Sequence, residues 1–217
     1  MTSAAARPRL EGLSEATTHR LSLLLRCLRT VQAEGVGTVS SLGLAQRFGM
    51  NAAQIRKDLA HLGEFGVRGV GYRVADLRAR LGSILGLDRV RVVVIVGAGH
   101  LGQALADSRN FNGESFRVGA LFDVDGRKVG ARSRTGVPIR HVSALPSSVA
   151  ELGAEVGVVA VPAESAGEAA AALTAAGVRG ILNFAGAAVG PFPGVAVKNV
   201  DLTLSLETLV VQLSAAG

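Results

Sequence analysis

Cysteine, tyrosine and long apolar runs are scarce here: one cysteine and one tyrosine in 217 residues, and no hydrophobic stretch near the roughly 20 residues that span a bilayer. A lone thiol excludes an internal disulfide. Cys27 falls among Leu24, Leu25 and Leu28, so it reads as a buried structural thiol in a reducing compartment. Residues 1–12 contain Ala, Arg, Pro and Gly but no apolar centre of a secretion signal. They predict a disordered tail on a cytoplasmic protein with no membrane partner. An apolar content of 48% still supplies a well-packed core, in one large domain or two small ones.

The formal net charge of +6 is unevenly placed: residues 1–90 hold 13 Lys/Arg against 7 Asp/Glu, whereas residues 91–217 hold 10 of each. A basic module is thus joined to a neutral one, and a polyanion is the first suspect for its partner.

The neutral part opens on Val92-Val93-Val94-Ile95-Val96, five β-branched residues that read as a strand buried on both faces. The strand runs straight into Gly97-Ala98-Gly99-His100-Leu101-Gly102, a Gly-x-Gly-x-x-Gly turn of the kind that opens a dinucleotide-binding βαβ unit. Gly97 allows the tight turn, Gly99 lets backbone approach a pyrophosphate, and Gly102 lets the next helix sit close to the strand. A second strand, Gly119-Ala-Leu-Phe-Asp123, ends in an acid about twenty residues beyond the glycines, placed to accept ribose hydroxyls. A plain turn cap with Asp125-Gly126 is the lesser reading of Asp123. Arg127 and Lys128 raise the question of a 2′-phosphate, which the Asp123 carboxylate would repel, so NAD is favoured over NADP.

Helical spacing of Leu21, Leu24, Leu25, Leu28 and Val31 predicts an amphipathic helix over residues 17–33, with Arg20 and Arg26 on its other side. Ser40 or Ser41 caps a short helix through Phe48, and a turn at Gly49-Met50-Asn51 leads to a second helix over 51–62, a helix-turn-helix pattern. Ile55, Leu59 and Leu62 face the core, which turns Ala53, Lys57 and Ala60 outward beside Gln54, Arg56 and His61. Small alanines among long cations suit a helix lying in a major groove; a merely solvated face explains the charges but not the alanines. The glycine-rich stretch 63–72 predicts a two-stranded wing with Arg68 at its tip, flanked by Gly69 and Tyr72. A helix over 74–85 follows, with no Ser/Pro linker before the neutral part.

The run Arg56-Lys57-Asp58-Leu59, continued by Leu62-Gly63-x-x-Gly66-x-Arg68-Gly69-x-Gly71-Tyr72 ahead of Gly-x-Gly-x-x-Gly, closely resembles the signature of the Rex family of redox-sensing repressors. The resemblance covers essentially the whole chain. It implies a winged-helix DNA-binding domain joined to an NAD(H)-binding Rossmann domain, two-fold dimers on an inverted-repeat operator of double-stranded DNA, and NADH and NAD+ as ligands. It also implies that a C-terminal helix exchanges between subunits and that Arg26 and Asp201 match a pair linking them. Three positions depart from the family pattern: His100 where Arg or Asn is usual, Ser108 where a tyrosine is expected, and Leu202 where an aromatic often follows Asp201.

Later strands are expected at 139–142, 156–161, 180–184 and 195–200, with an alanine-rich helix over 165–176, which together predict a doubly wound parallel sheet. Loops bearing Val161-Pro162 and Asn183-Phe184 would emerge at its carboxyl edge, where the nicotinamide half is expected. A final helix over 201–214 carries Leu202, Leu206, Leu209 and Leu213 on one stripe and Leu204, Val210 and Val211 elsewhere, too apolar all round for a monomer's surface. The expected layout is a tail (1–12), a winged helix-turn-helix domain (13–87), a Rossmann domain (88–200) and a dimerisation helix (201–217).

Two enzyme readings compete with a regulator. An NAD-dependent oxidoreductase needs acid–base groups, yet Tyr72 stands in the wing without a Tyr-x-x-x-Lys, His19 and His61 lie in the basic part, and His100 sits in the phosphate turn. A CoA-binding ligase half shares the sheet but should not carry a helix-turn-helix. No catalytic or metal-ligating set is assigned.

Overall fold

The computed structural model describes residues 13–63, 66 and 69–215. The expected tail, residues 1–12, and the wing-tip Arg68 lie outside the described residues. The chain divides into two compact units, Met1–Arg89 and Val90–Gly217.

The first unit contains α1 (Glu15–Ala33), β1 (Thr38–Val39), α2 (Ser41–Phe48), α3 (Ala52–Ala60), β2 (Tyr72–Arg73) and α4 (Val74–Ile84). Each of the first three helices starts at a side-chain cap: Ser14 accepts from the Thr17 N–H, Ser40 from Gly43 and Asn51 from Gln54. Ser40 is therefore the cap, and Ser41 turns inward and is buried. Leu21, Leu24, Leu25, Leu28 and Val31 of α1 pack with Leu44, Ile55, Leu59, Val74, Leu77 and Leu81 in one core. Burying each such side chain contributes about 1.5–3 kcal/mol, which is what holds four short helices together.

The expected ribbon within 63–72 is corrected in its pairing. β2 pairs antiparallel with β1, Thr38 opposite Arg73 and Val39 opposite Tyr72. The described glycines of the run, 63, 66, 69 and 71, all have positive φ, which a strand does not accommodate. A Cβ at Gly66 would collide with the Gly71 carbonyl and the Tyr72 ring, so Gly66 lies close against those two residues.

The second unit is a six-stranded parallel sheet, ordered β5-β4-β3-β6-β7-β8. Its strands are β3 (Arg91–Val96), β4 (Phe116–Asp123), β5 (Ile139–His141), β6 (Ala154–Val159), β7 (Gly180–Asn183) and β8 (Ala196–Asn199). The order reverses between β3 and β6, the switch point where ligands bind such sheets. One core cluster lies beneath α5 (His100–Ala106); the other joins the sheet to α6 (Leu145–Leu152) and α7 (Ala166–Ala175). α5 closes at Ala106, where the Asn112 side-chain amide donates to the Ala106 and Ser108 carbonyls. α6 was not foreseen. It starts on a proline in its first turn and ends on left-handed Gly153, and its eight residues are too short for a periodic signal. The last element is α8 (Leu202–Ala215), started by the Asp201 carboxylate accepting from the Leu204 N–H. Among the described residues no helix is long and apolar enough to cross a membrane.

Candidate functional site

Two surfaces gather the residues singled out by the sequence. In the second unit, a cleft of about 480 Å³ opens at the carboxyl ends of β3, β4 and β6. Gly97, Gly99, Asp123, Lys128, Val161 and Pro162 line it. Gly97 has φ +106° and no room for a side chain, since a Cβ there would strike the Ala160 carbonyl. A Cβ on Gly102 would strike the carbonyl of Gly97, which is how α5 comes to lie against the turn. At Gly99, by contrast, a Cβ would meet nothing, so backbone is open to the cleft there. Ala98 is fully buried and His100 and Leu101 are exposed on the first turn of α5, so these three shape the turn without lining the cleft.

Asp123 is the polar centre of this cleft. Its Oδ2 accepts from the Ala98 N–H at 2.9 Å and from Lys128 Nζ at 2.8 Å, and its Oδ1 accepts from the Asp125 N–H at 2.9 Å. Burial pushes the carboxyl up, but Lys128 and the two N–H donors outweigh it and hold the group below its ordinary value. Arg127 is committed as well: it forks onto Asp125, which holds that carboxyl down at about 2. Both cations weighed for a 2′-phosphate therefore already have carboxylate partners.

Val124, Val142, Ser165 and Glu168 complete the cleft and were missed. The available signal was a valine standing directly after the acid, between Asp123 and Asp125; in the fold it is 75% exposed. Asn183 and Phe184 do not line this cleft. Asn183 is buried, donating to the Ala187 carbonyl and Asn199 Oδ1 and accepting from the Ala185 N–H, so its carboxamide is spent on fastening loops. Phe184 packs with the cluster under α5, on the other face of the sheet.

In the first unit, α3 presents Ala53, Arg56, Lys57, Ala60 and His61 to solvent. Arg56 donates to Ser41 Oγ at 3.0 Å, which steadies its guanidinium beside the start of α2. Gln54 is half-buried and donates to Asp58 Oδ1 at 2.7 Å. Gly69 is exposed in the turn before β2, and Tyr72 packs partly against the core of the unit. Arg20 turns toward its own chain. It forks onto the buried Asp58 at 2.6 and 2.9 Å. Arg26 and Asp201 are exposed, and α8 is exposed along its described length.

An alanine-and-cation helix face behind a helix-turn-helix, carried in the same chain as a glycine-turn cleft with an acid at its second strand, defines a class: DNA-binding proteins governed by a dinucleotide. Over residues 12–60 the chain matches the family described as putative DNA-binding protein N-terminus, and over 88–187 the one described as CoA binding domain. It is 42% identical over 203 residues to the redox-sensing transcriptional repressor Rex 1 of Thermotoga maritima, covering 94% of this chain and 97% of that one. To the Rex repressor of Syntrophobacter fumaroxidans it is 44% identical over 199 residues, covering 92% and 95%. Among solved structures, RSP in complex with β-NAD+ and operator DNA matches with a TM-score of 0.86 at 33% identity, covering 94% of both chains. RSP in complex with β-NADH, a further structure of this Rex-family repressor, matches at 0.80 and 32%. The chain belongs to the Rex family of redox-sensing transcriptional repressors.

Proposed function

We propose that this chain is a cytoplasmic, homodimeric transcriptional repressor that holds an inverted-repeat operator and releases it when NADH rises relative to NAD+. It binds both cofactor forms as ligands and turns neither over. What carries the reading is the pairing, in one chain, of the basic α3 face with the Asp123 cleft; the RSP complexes with NAD+ and operator DNA and with NADH support it. Cofactor phosphates would lie along the backbone of 97–102, the adenosine ribose at Asp123, and the rest along Val161 and Pro162. Arg56, Lys57, His61 and the wing at Arg68 and Gly69 would meet DNA.

The dimer reading rests on α8, whose apolar residues remain more than half exposed among the described residues. A second subunit that receives the helix would bury them, and an Arg26–Asp201 pair across subunits would be one contact of that exchange. Release requires that cofactor prefer the arrangement unable to bind DNA, because equal affinity shifts nothing. Moving the dimer from about 99:1 to 1:99 takes roughly 5.5 kcal/mol, which two bound cofactors would share. Reduction removes the positive charge of the nicotinamide ring, so a less polar pocket favours NADH over NAD+.

The test is a gel shift on a duplex selected from a random pool by the full-length protein, titrated with NADH and with NAD+. NADH should release the duplex and NAD+ should do so poorly. Operator affinity unchanged at saturating NADH would overturn redox sensing while leaving DNA binding standing.

A further inference from the structure

The most buried charged group in the first unit sits on the helix that carries the DNA-facing cations. Asp58 of α3 is 7% exposed, and α1 reaches across to it: Arg20 Nε donates to Oδ2 at 2.6 Å and its Nη2 to Oδ1 at 2.9 Å. Arg20 is itself steadied by Thr17 Oγ1 at 3.1 Å. One further donor completes the carboxylate, Gln54 Nε2 at 2.7 Å from Oδ1, one helical turn earlier on the same face. Arg20 holds the Asp58 carboxyl below its ordinary value against the opposing effect of burial, so it remains an anion at neutral pH.

An ionised carboxylate accepts hydrogen bonds and cannot donate one. Gln54 must therefore turn its amide nitrogen to Asp58, and its carboxamide is denied the alternative flip. Packing alone would not impose this. A hollow of about 170 Å³ lined by Leu23, Leu24, Met50 and Ile55 opens beside Gln54, leaving the side chain room to move. The orientation matters because a glutamine reads adenine with one N–H to N7 and its oxygen to the N6 amino group, and a flipped amide presents the reverse pattern. With one N–H given to Asp58, the second N–H and Oε1 remain for a base edge.

We infer that Asp58, clamped by Arg20, is a positioning residue for DNA recognition: it fixes the flip of the Gln54 carboxamide and thereby sets base discrimination at one step of each half-site. The inference rests on the proposed role of α3 as the reading helix. It makes the Arg20–Asp58 pair a determinant of sequence selectivity, separate from the cations that bind the backbone.

The experiment is a double-mutant cycle on the full-length protein, read as affinity for the selected duplex and for the set carrying each base-pair change in turn. Asp58→Asn keeps the shape but donates as well as accepts, so it frees the flip. It should lower discrimination about tenfold at one position per half-site. Affinity for an unrelated duplex and its salt dependence should stay the same, since those depend on phosphate contacts. Gln54→Ala should flatten the same position, and Asp58→Asn should add nothing in that background. Arg20→Lys keeps the charge and loses the fork; a smaller loss at the same position is expected, and it carries the cycle should Asp58→Asn lower the folded fraction. Effects at every position alike, effects that multiply with Gln54→Ala, or full discrimination by Asp58→Asn would overturn the inference. Lys57→Ala separates this failure from that of the underlying reading: if it weakens binding to all duplexes while the cycle fails, only the positioning role falls. If Lys57→Ala, Arg56→Ala and Gln54→Ala are all silent, α3 is not the reading helix and both fall.

Discussion

Val93, Val94, Ile95 and Val96 in β3 keep at most 4% of their surface exposed, whereas Leu202, Leu204, Leu206, Leu209, Val210, Val211 and Leu213 in α8 keep between 51% and 68%. The residue types are nearly the same. What differs is the neighbourhood each can recruit from its own chain. β3 has a parallel strand on either side and a core cluster on either face, while α8 belongs to neither cluster and among the described residues keeps its apolar side chains exposed. Apolar content thus sets the demand for burial, and topology decides whether the chain itself can meet it. Where it cannot, a second subunit is the natural cover.

The largest effect expected on this contrast is from Ile95→Ala. A fully buried side chain lost from the central strand should cost about 2–5 kcal/mol in denaturant unfolding, independent of protein concentration. Leu206→Ser, with comparable apolar surface at stake, should lower stability only through association, so its cost should grow on dilution. A concentration-independent loss for Leu206→Ser would mean that the chain covers its own helix. Truncation after Val200 is the next test. Light scattering should then find monomer or aggregate, and a well-behaved dimer would end the exchanged-helix reading.

The same contrast explains what could be read without a structure. The β3 run, the glycine turn and Asp123 were legible because burial on both faces leaves an uninterrupted β-branched signature, and because the turn and its acid keep a fixed spacing. α3 was legible because caps and leucine period agree on its bounds to within two residues. Failures gathered where the deciding interaction is distant in sequence. Nothing local told that Asn183 would be consumed by Ala187 and Asn199, or that Arg20 would turn inward to Asp58, 38 positions away. The glycine run of 63–72 misled because alternation suggested a two-stranded ribbon, while its described glycines take positive φ and β2 pairs with a two-residue strand before α2.

At its C-terminal end β3 passes from complete burial into the cleft, where Asp123 at the end of neighbouring β4 is the polar centre. Asp123→Ala removes the acceptor for Ala98, Lys128 and Asp125 together, so both the turn and the proposed ribose position lose their anchor. Hydrogen bonds to a charged group are worth about 1.5–3 kcal/mol, which predicts NADH binding weaker by about ten- to a hundredfold in a fluorescence titration. Thermal stability should change much less than for Ile95→Ala. NADH affinity at the wild-type value would show that the cleft does not hold the ribose. Restoration by Asp123→Glu would locate the effect in the carboxylate.

The smallest effect concerns a surface turn that, unlike α8, is fastened by its own chain, with Ser133 and Val137 buried at its ends and hydrogen bonds between them. The turn around 133–137 is tied to the end of α5 by Asp107, whose carboxylate accepts from the Thr135 N–H at 2.8 Å, its hydroxyl at 2.7 Å and the Arg134 N–H at 3.3 Å. Those donors, Thr135 foremost, hold the carboxyl down from 3.8 to about 2. A lowered folded-state value means the unfolded chain takes up the proton first as acid is added. The fastening is then complete above 3.8 and lost as pH falls through about 2. Hydrogen exchange at Thr135 should accelerate over that interval, while exchange in β3 remains slow until the sheet itself opens. Asp107→Asn keeps one acceptor oxygen but cannot titrate, so it should exchange somewhat faster at neutral pH and lose the acid-dependent step. An unchanged step in that variant would assign the acid sensitivity to another group and leave the turn held by its backbone hydrogen bonds and the burial of Val137 alone.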